Sequence, residues 1–182
     1  MVDPEPAGPN LWRGYRLGAV GLAAPHIWGM VMITNTDLQQ LLSHWWFAYD
    51  NALYEEWPEI FTEDAHFSCR TDSGTTAFEE FVNADAQGRD AVLAWQTQHR
   101  KGSPSPLRHG GENIHISAQR GDEADFRSYI RVSQIVDGSP SNLSTAIVNG
   151  TVRIENGALR IADLAVVLDT VDSTVLGDRE AL

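Results

Sequence analysis

The chain has 182 residues, 42% hydrophobic and 21% charged, which fits one globular domain with a core and little room for a second. Its 25 acidic against 13 basic side chains leave a formal net charge of −12. A surface that acidic, with no Lys/Arg cluster to offset it, repels phosphate and excludes nucleic acids and anionic membranes as partners.

In chain order, residues 1–34 stand apart: "MVDPEPAGPNLWRGYRLGAVGLAAPHIWGM" is rich in Pro and Gly and keeps no period of 2 or 3.6. Arg13 and Arg16 ahead of "LGAVGLAA" have the order of a secretory signal, but the apolar run is short and Asp3 and Glu5 precede it. The segment is expected to be a flexible arm or the product of an over-long start, with Met30 and Met32 in frame. No stretch approaches the roughly 18 to 20 apolar residues of a membrane span.

Order is expected from "NTDLQQLLSHWWFAYDNALYEEWPEIF" onward. Thr36 and Gln39 have capping-box spacing. Leu38, Leu41, Leu42, Trp45, Tyr49 and Leu53 recur at helical spacing and predict a long amphipathic helix. A short second helix, "EEWPEIF", follows with Pro58 near its start. "AHFSCRT" predicts a short strand, and "AFEEFVNADAQGRDAVLAWQTQHRKG" a helical region broken at Gly88 and ended by "SPSP". The one cysteine, Cys69, forbids an internal disulfide and suits a reducing, cytoplasmic setting, where it reads as a small buried hydrophobe. Neither CxxC nor HExxH occurs, so nothing supports zinc.

From residue 111 the period changes to 2. "ENIHISAQ", "EADFRSYIRVSQIV", "LSTAIVNGTVRIE" and "ALRIADLAVVLD" are separated by "RGD", "DGSPSN" and "NG". Those are hairpin turn signals, Asn156-Gly157 the strongest of them. A four-stranded antiparallel meander after a helical half is an α+β pattern.

Three stretches carry a resemblance to a known family: "LLSHWWFAYDNALYEEWPEIFTEDAHF", "LRHGGENIHI" and the closing hairpin "GTVRIENGALRIADLAV". Their order resembles the SnoaL-like group of the nuclear-transport-factor-2-like superfamily over about residues 36–170. That superfamily includes scytalone dehydratase, ketosteroid isomerase, limonene epoxide hydrolase and hexachlorocyclohexane dehydrochlorinase. The resemblance implies a cone-shaped α+β barrel, its N-terminal helices packed on a strongly curved antiparallel or mixed sheet that encloses a cavity. The barrel is expected over residues 35–172, with a tail at 173–182, and its open sheet face covered by a homodimer or homotrimer.

The resemblance also implies a catalytic pair. Asp50, in "AYD", and His109, in "RHGGEN", stand where the dehydratase and dehydrochlorinase branch keeps its aspartate and histidine. A carboxylate bonded to one imidazole nitrogen sets the tautomer, and the other nitrogen removes a proton from substrate. Elimination or isomerisation then follows with no metal or organic cofactor. Trp45 stands where some members place a polar group that assists the leaving group. The chain is rich in tryptophan, and Trp45, Trp46, Tyr49, Phe67 and Trp95 are candidates for apolar substrate-binding walls, with Phe78 and Phe81 beside them. Asn113 and His115 share the parity of His109 on an extended strand, and Tyr129 could donate to a substrate oxygen. By the same alternation Arg108 is expected to face away from His109.

Arg70, Asp72, His99 and Arg100 read as surface residues, His44 and His66 as structural, and the acidic run Glu55 to Asp64 as a solvated face. The leading expectation is a lyase or isomerase acting on a small apolar oxygenated molecule. The alternative is a non-catalytic ligand-binding or accessory subunit, as in the β subunit of ring-hydroxylating dioxygenases. An epoxide hydrolase is a third possibility; that branch uses an Asp–Arg–Asp arrangement on neighbouring strands, which the sequence alone does not place.

Overall fold

A computed structural model describes residues 26–27 and 30–176. Expectations for the start of the arm, residues 1–25, and for the end of the tail, residues 177–182, fall outside the described residues. Two short strands, β1 (His26–Ile27) and β2 (Met30–Val31), pair antiparallel ahead of the first helix.

Helix α1 spans Asn35–Asp50. Its cap is Thr34, not the expected Thr36. Thr34 Oγ1 accepts from the Asp37 N–H at 3.2 Å, and the Asp37 carboxylate accepts from the Thr34 N–H at 3.0 Å. Both spacings suit a capping box, but Asp37 brings a full negative charge to the positive end of the helix dipole, and buried Ile33 anchors the entry. The helix stops at Asp50, short of Leu53, because Ala52 turns the chain at φ 53°. A single 3-10 turn, Trp57–Glu59, replaces the second helix, with Pro58 inside it.

Strand β3 runs Phe61–Thr71, longer than expected, and sends Ala65, Phe67, Cys69 and Thr71 inward. The helical region divides in three: α2 (Glu79–Val82), strand β4 (Ala84–Gln87) and α3 (Arg89–Gly102). Nothing in "ADAQ" favours a strand locally. It pairs along β3 because small Ala84 and Ala86 fit opposite Cys69 and Phe67, so tertiary contact overrides propensity.

The meander forms as expected: β5 (Leu107–Arg120), β6 (Glu123–Val136), β7 (Ser139–Glu155) and β8 (Ala158–Leu168). Asn156 and Gly157 have φ of 53° and 79°, the left-handed pair that closes a tight hairpin, and Asp137-Gly138 repeats it at 49° and 75°. Strand β3 joins the other side of β8 in parallel, giving a mixed six-stranded sheet, β4-β3-β8-β7-β6-β5. Strand β5 is therefore an edge, and α1 packs against it. Gly150 permits the tight layer here: a Cβ there would come within 2.6 Å of the Phe126 ring.

Between helices and sheet lie Trp45, Trp57, Phe61 and Phe126, each at most 1% exposed. Burying a side chain of that size stabilises by about 2–3 kcal/mol before entropy is charged against it. Cys69 joins this layer, and burial pushes its thiol up to about 12. The native protein is therefore expected to resist iodoacetamide at pH 8, reacting only after urea unfolds it. Fast labelling of the folded chain would contradict that burial.

Candidate active site

Asp50 is the last residue of α1, and its place is set by a buried cation. Arg100, on α3 and 6% exposed, donates Nε to the Tyr49 carbonyl at 3.0 Å and Nη2 to the Asp50 carbonyl at 2.8 Å. Its Nη1 donates to the Pro104 carbonyl at 3.0 Å. The guanidinium thus satisfies two orphan carbonyls at the negative end of α1 and ties them to the loop that leads into β5. Arg100 was expected on the surface; the structure places it under the site.

His109 lies within β5, since the strand begins at Leu107 rather than beyond the glycines. Its Nδ1 is 2.6 Å from Asp50 Oδ1, and its backbone N–H donates to Asp50 Oδ2 at 2.8 Å. Both carboxylate oxygens are used, and the two side chains are only 5% and 10% exposed. An acceptor at Nδ1 puts the proton there and leaves Nε2 with its lone pair. Among the described residues Nε2 has no hydrogen-bond partner.

Aromatic rings hold the imidazole. Trp46 stacks on it at 4.7 Å and 8°, and Tyr49 meets it edge-on at 5.3 Å. Gly111 lies beside the stack: a Cβ there would meet the Trp46 indole at an ordinary 3.8 Å and crowd Ile114 at 3.3 Å. Tyr49 leads to a second histidine, with its hydroxyl 2.5 Å from His99 Nδ1. Burial first, then the neighbouring charges of His109 and Arg100, pull His99 down to about 4. Burial pushes the Tyr49 phenol well above its usual range, so a neutral phenol donates to an unprotonated Nδ1.

That pair carries a pH signature. His99 is harder to protonate folded than unfolded, so its contribution is fully present above about pH 6.5 and is lost as pH falls through about 4. The loss is about 3 kcal/mol at most. Urea midpoints between pH 7 and 4 are expected to fall in the parent and to fall less in His99→Gln, which keeps an acceptor for Tyr49. Equal slopes would remove His99 from the account. His66, on the far face of the sheet, shifts the other way. Hydrogen bonds to Asp85 and then Asp163 raise it, and it clasps β4 and β8 to β3 as a structural residue.

The dyad lines a pocket of about 230 Å³ that is half open to solvent, not a closed chamber. Helix α1 supplies Ser43, Trp46, Phe47 and Asp50, and β5 supplies Arg108, His109, Gly111 and Ile114. Of the expected walls only Trp46 takes part. Trp45 is fully buried in the core, 5.4 Å from Trp57, and Tyr49 backs His109 from inside. Phe67 and Trp95 pack on each other at 5.0 Å, and Trp95 stacks on His99 at 4.7 Å, away from the pocket. Phe78 and Phe81 are about half exposed elsewhere.

The parity expectations for Asn113, His115 and Arg108 fail, and so does the one for Tyr129. Asn113 has φ 53° at a bulge between Glu112 and His115, which breaks the alternation and leaves both Asn113 and His115 exposed. Tyr129 points to the opposite face of the sheet, 51% exposed. Arg108 lines the same pocket as His109 although alternate side chains part. Its long stem folds back until Nη1 is 2.6 Å from the Leu107 carbonyl. Ser43 and Phe47 were overlooked, yet counting back seven and three residues from Asp50 on one helix reaches both.

The family model described as "SnoaL-like domain" matches residues 31–165. No curated protein matches the chain. Solved structures share the fold at low identity. An NTF2-like protein with a cystatin-like fold from Novosphingobium aromaticivorans is 20% identical, with TM-score 0.58 over 73% of this chain and 80% of that one. The β subunit of benzoate 1,2-dioxygenase from Burkholderia mallei is 17% identical, with TM-score 0.60 over 76% and 93%. A protein from Catenulispora acidiphila in complex with S-DNPA is 19% identical, with TM-score 0.60 over 73% and 91%.

Proposed function

The chain belongs to the SnoaL-like family, whose members include isomerases and dehydratases that act on small molecules, and from that premise we propose that it is a lyase or isomerase. The reading assigns proton abstraction to His109 in a single domain spanning 35–172, with no metal or organic cofactor in the step. One observation carries it: Asp50 grips both the backbone N–H and Nδ1 of His109 beside an apolar pocket. A carboxylate so placed holds the tautomer and stabilises the imidazolium that forms. Nε2 then takes a proton next to a carbonyl. The hydroxide on the adjacent carbon then leaves, takes that proton back from the imidazolium and departs as water, which completes an elimination; return of the proton to another carbon completes an isomerisation. The stacked Trp46 face attracts the transient cation.

The test is a panel of one-ring β-hydroxy ketones in deuterium oxide, followed by NMR. Exchange of the hydrogen next to the carbonyl, and loss of water, are expected with the parent and not with His109→Gln. No exchange with any member of the panel would reject the reading.

A second reading, an accessory subunit without catalysis, draws on the filled interior, where Trp45, Trp57 and Phe61 occupy the space a chamber would need. The fold likeness to a dioxygenase β subunit adds to it. It requires that Asp50→Asn and His109→Gln both leave the partner complex unchanged. In either reading we propose a homodimer or homotrimer, because cross-strand neighbours Tyr129 and Ile147 stay 51% and 44% exposed on the outer sheet face. Light scattering that returns a monomer mass would reject it. No described helix is long and apolar enough to cross a membrane, and the buried free thiol supports a cytoplasmic placement.

A further inference from the structure

We infer that the pocket takes a small carboxylate, with Arg108 as the residue that recognises the anion. The orientation of that ligand toward His109 rests on the function proposed above; its binding does not. The chain has 25 acidic and 13 basic side chains, and five of the nine arginines among the described residues are claimed by carboxylates. Arg89, Arg120, Arg131, Arg153 and Arg160 each lie within 4.0 Å of one. Arg108 has no carboxylate partner among the described residues, and its Nη1 rests on the carbonyl of its own neighbour, Leu107, at 2.6 Å. The remaining guanidinium donors are free to form a two-point contact with a planar anion.

The pocket's own carboxylate does not compete. Both oxygens of Asp50 are held by His109, and its side chain is 5% exposed. Behind Asp50, Arg100 puts a second cation near the site, bonded to the Asp50 backbone carbonyl. With Arg108 added, the site is cationic within a protein of net charge −12, so it is a local well for an anion that the rest of the surface repels. The opposing walls are apolar, with Trp46, Ile114 and Phe47 (59% exposed) available to a flat body. A volume of about 230 Å³ falls below the roughly 300–1,000 Å³ of drug-sized clefts, which limits that body to about one ring. The ligand class is thus a one-ring or similarly compact apolar carboxylate. Its charge lies at Arg108 and its body on Trp46, with a carbon–hydrogen bond presented to His109.

Calorimetric titration of the full chain with phenylacetate and with its neutral amide, phenylacetamide, tests this. The acid is expected to bind at least about tenfold more tightly than the amide. Arg108→Leu should abolish that preference while leaving the weak amide binding in place, and Arg108→Lys should restore part of it. Raising salt should weaken the acid alone. Equal binding of acid and amide, no binding of either, or unchanged preference in Arg108→Leu would overturn the inference. Failure of the catalytic reading looks different: the acid still binds through Arg108, but no substrate exchanges its hydrogen or loses water.

Discussion

Asp50→Asn lowers turnover by about 10²- to 10⁴-fold on any substrate the protein converts, while the fold survives. The amide has the shape of the carboxylate, and one oxygen can still accept the His109 N–H that Asp50 Oδ2 accepts at 2.8 Å. The other position becomes an NH₂ group facing Nδ1, which now meets a donor. The imidazole must then present a lone pair at Nδ1 and carry its proton on Nε2, the nitrogen meant to take one. The expected readout is a fall in kcat far larger than any change in KM, with the thermal midpoint moved by only a few degrees. Should the amide variant lose its fold, His109→Gln offers the same loss of base without touching the helix end. Normal turnover in both variants would remove the Asp50–His109 pair from the chemistry.

Arg100→Met produces the largest stability change. The methionine fills similar space but leaves the carbonyls of Tyr49, Asp50 and Pro104 without a donor in a nearly dry site. Losing charged hydrogen bonds to buried acceptors costs about 3–5 kcal/mol, which for a chain this size lowers the thermal midpoint by about 10 °C or more. The end of α1 also loses its tie to the 103–106 loop, so Asp50 and His109 drift apart. The short Nδ1···Asp50 contact is expected to give a downfield Nδ1 proton signal in the parent, and that signal should broaden or vanish. Arg100→Lys, able to reach one or two of the carbonyls, recovers only part of the midpoint. A variant as stable as the parent, with that proton signal intact, would show that the helix end holds without its buried cation.

The meander and the first helix were legible because their signals are local. Apolar residues recur at one period along each element, and Asn156-Gly157 adopts its left-handed pair whatever lies around it. The first helix is also what places Ser43, Trp46, Phe47 and Asp50 on one side, by spacing alone. The match of Asp50 to His109 came from resemblance. No rule of spacing brings residues 59 apart in sequence to 2.6 Å.

Other features exist only through long-range contact. "ADAQ" becomes a strand because β3 offers an unpaired edge and small partners. Arg100 reads as a surface cation until the end of α1 supplies carbonyls to bury it against. Parity put Asn113 and His115 beside His109, and a bulge that pairing with β6 creates took them away. The same alternation sent Arg108 outward, yet its flexible stem returns it to the pocket rim. By itself the sequence determined the element types, the hairpin turns and the acidic character of the surface, since each depends on neighbours within a turn or on composition. The tertiary structure decided the buried cation beneath the acid, the narrow half-open pocket and the arginine at its rim. Those depend on which groups meet across the fold, where desolvation and distance act between residues that the chain order keeps apart.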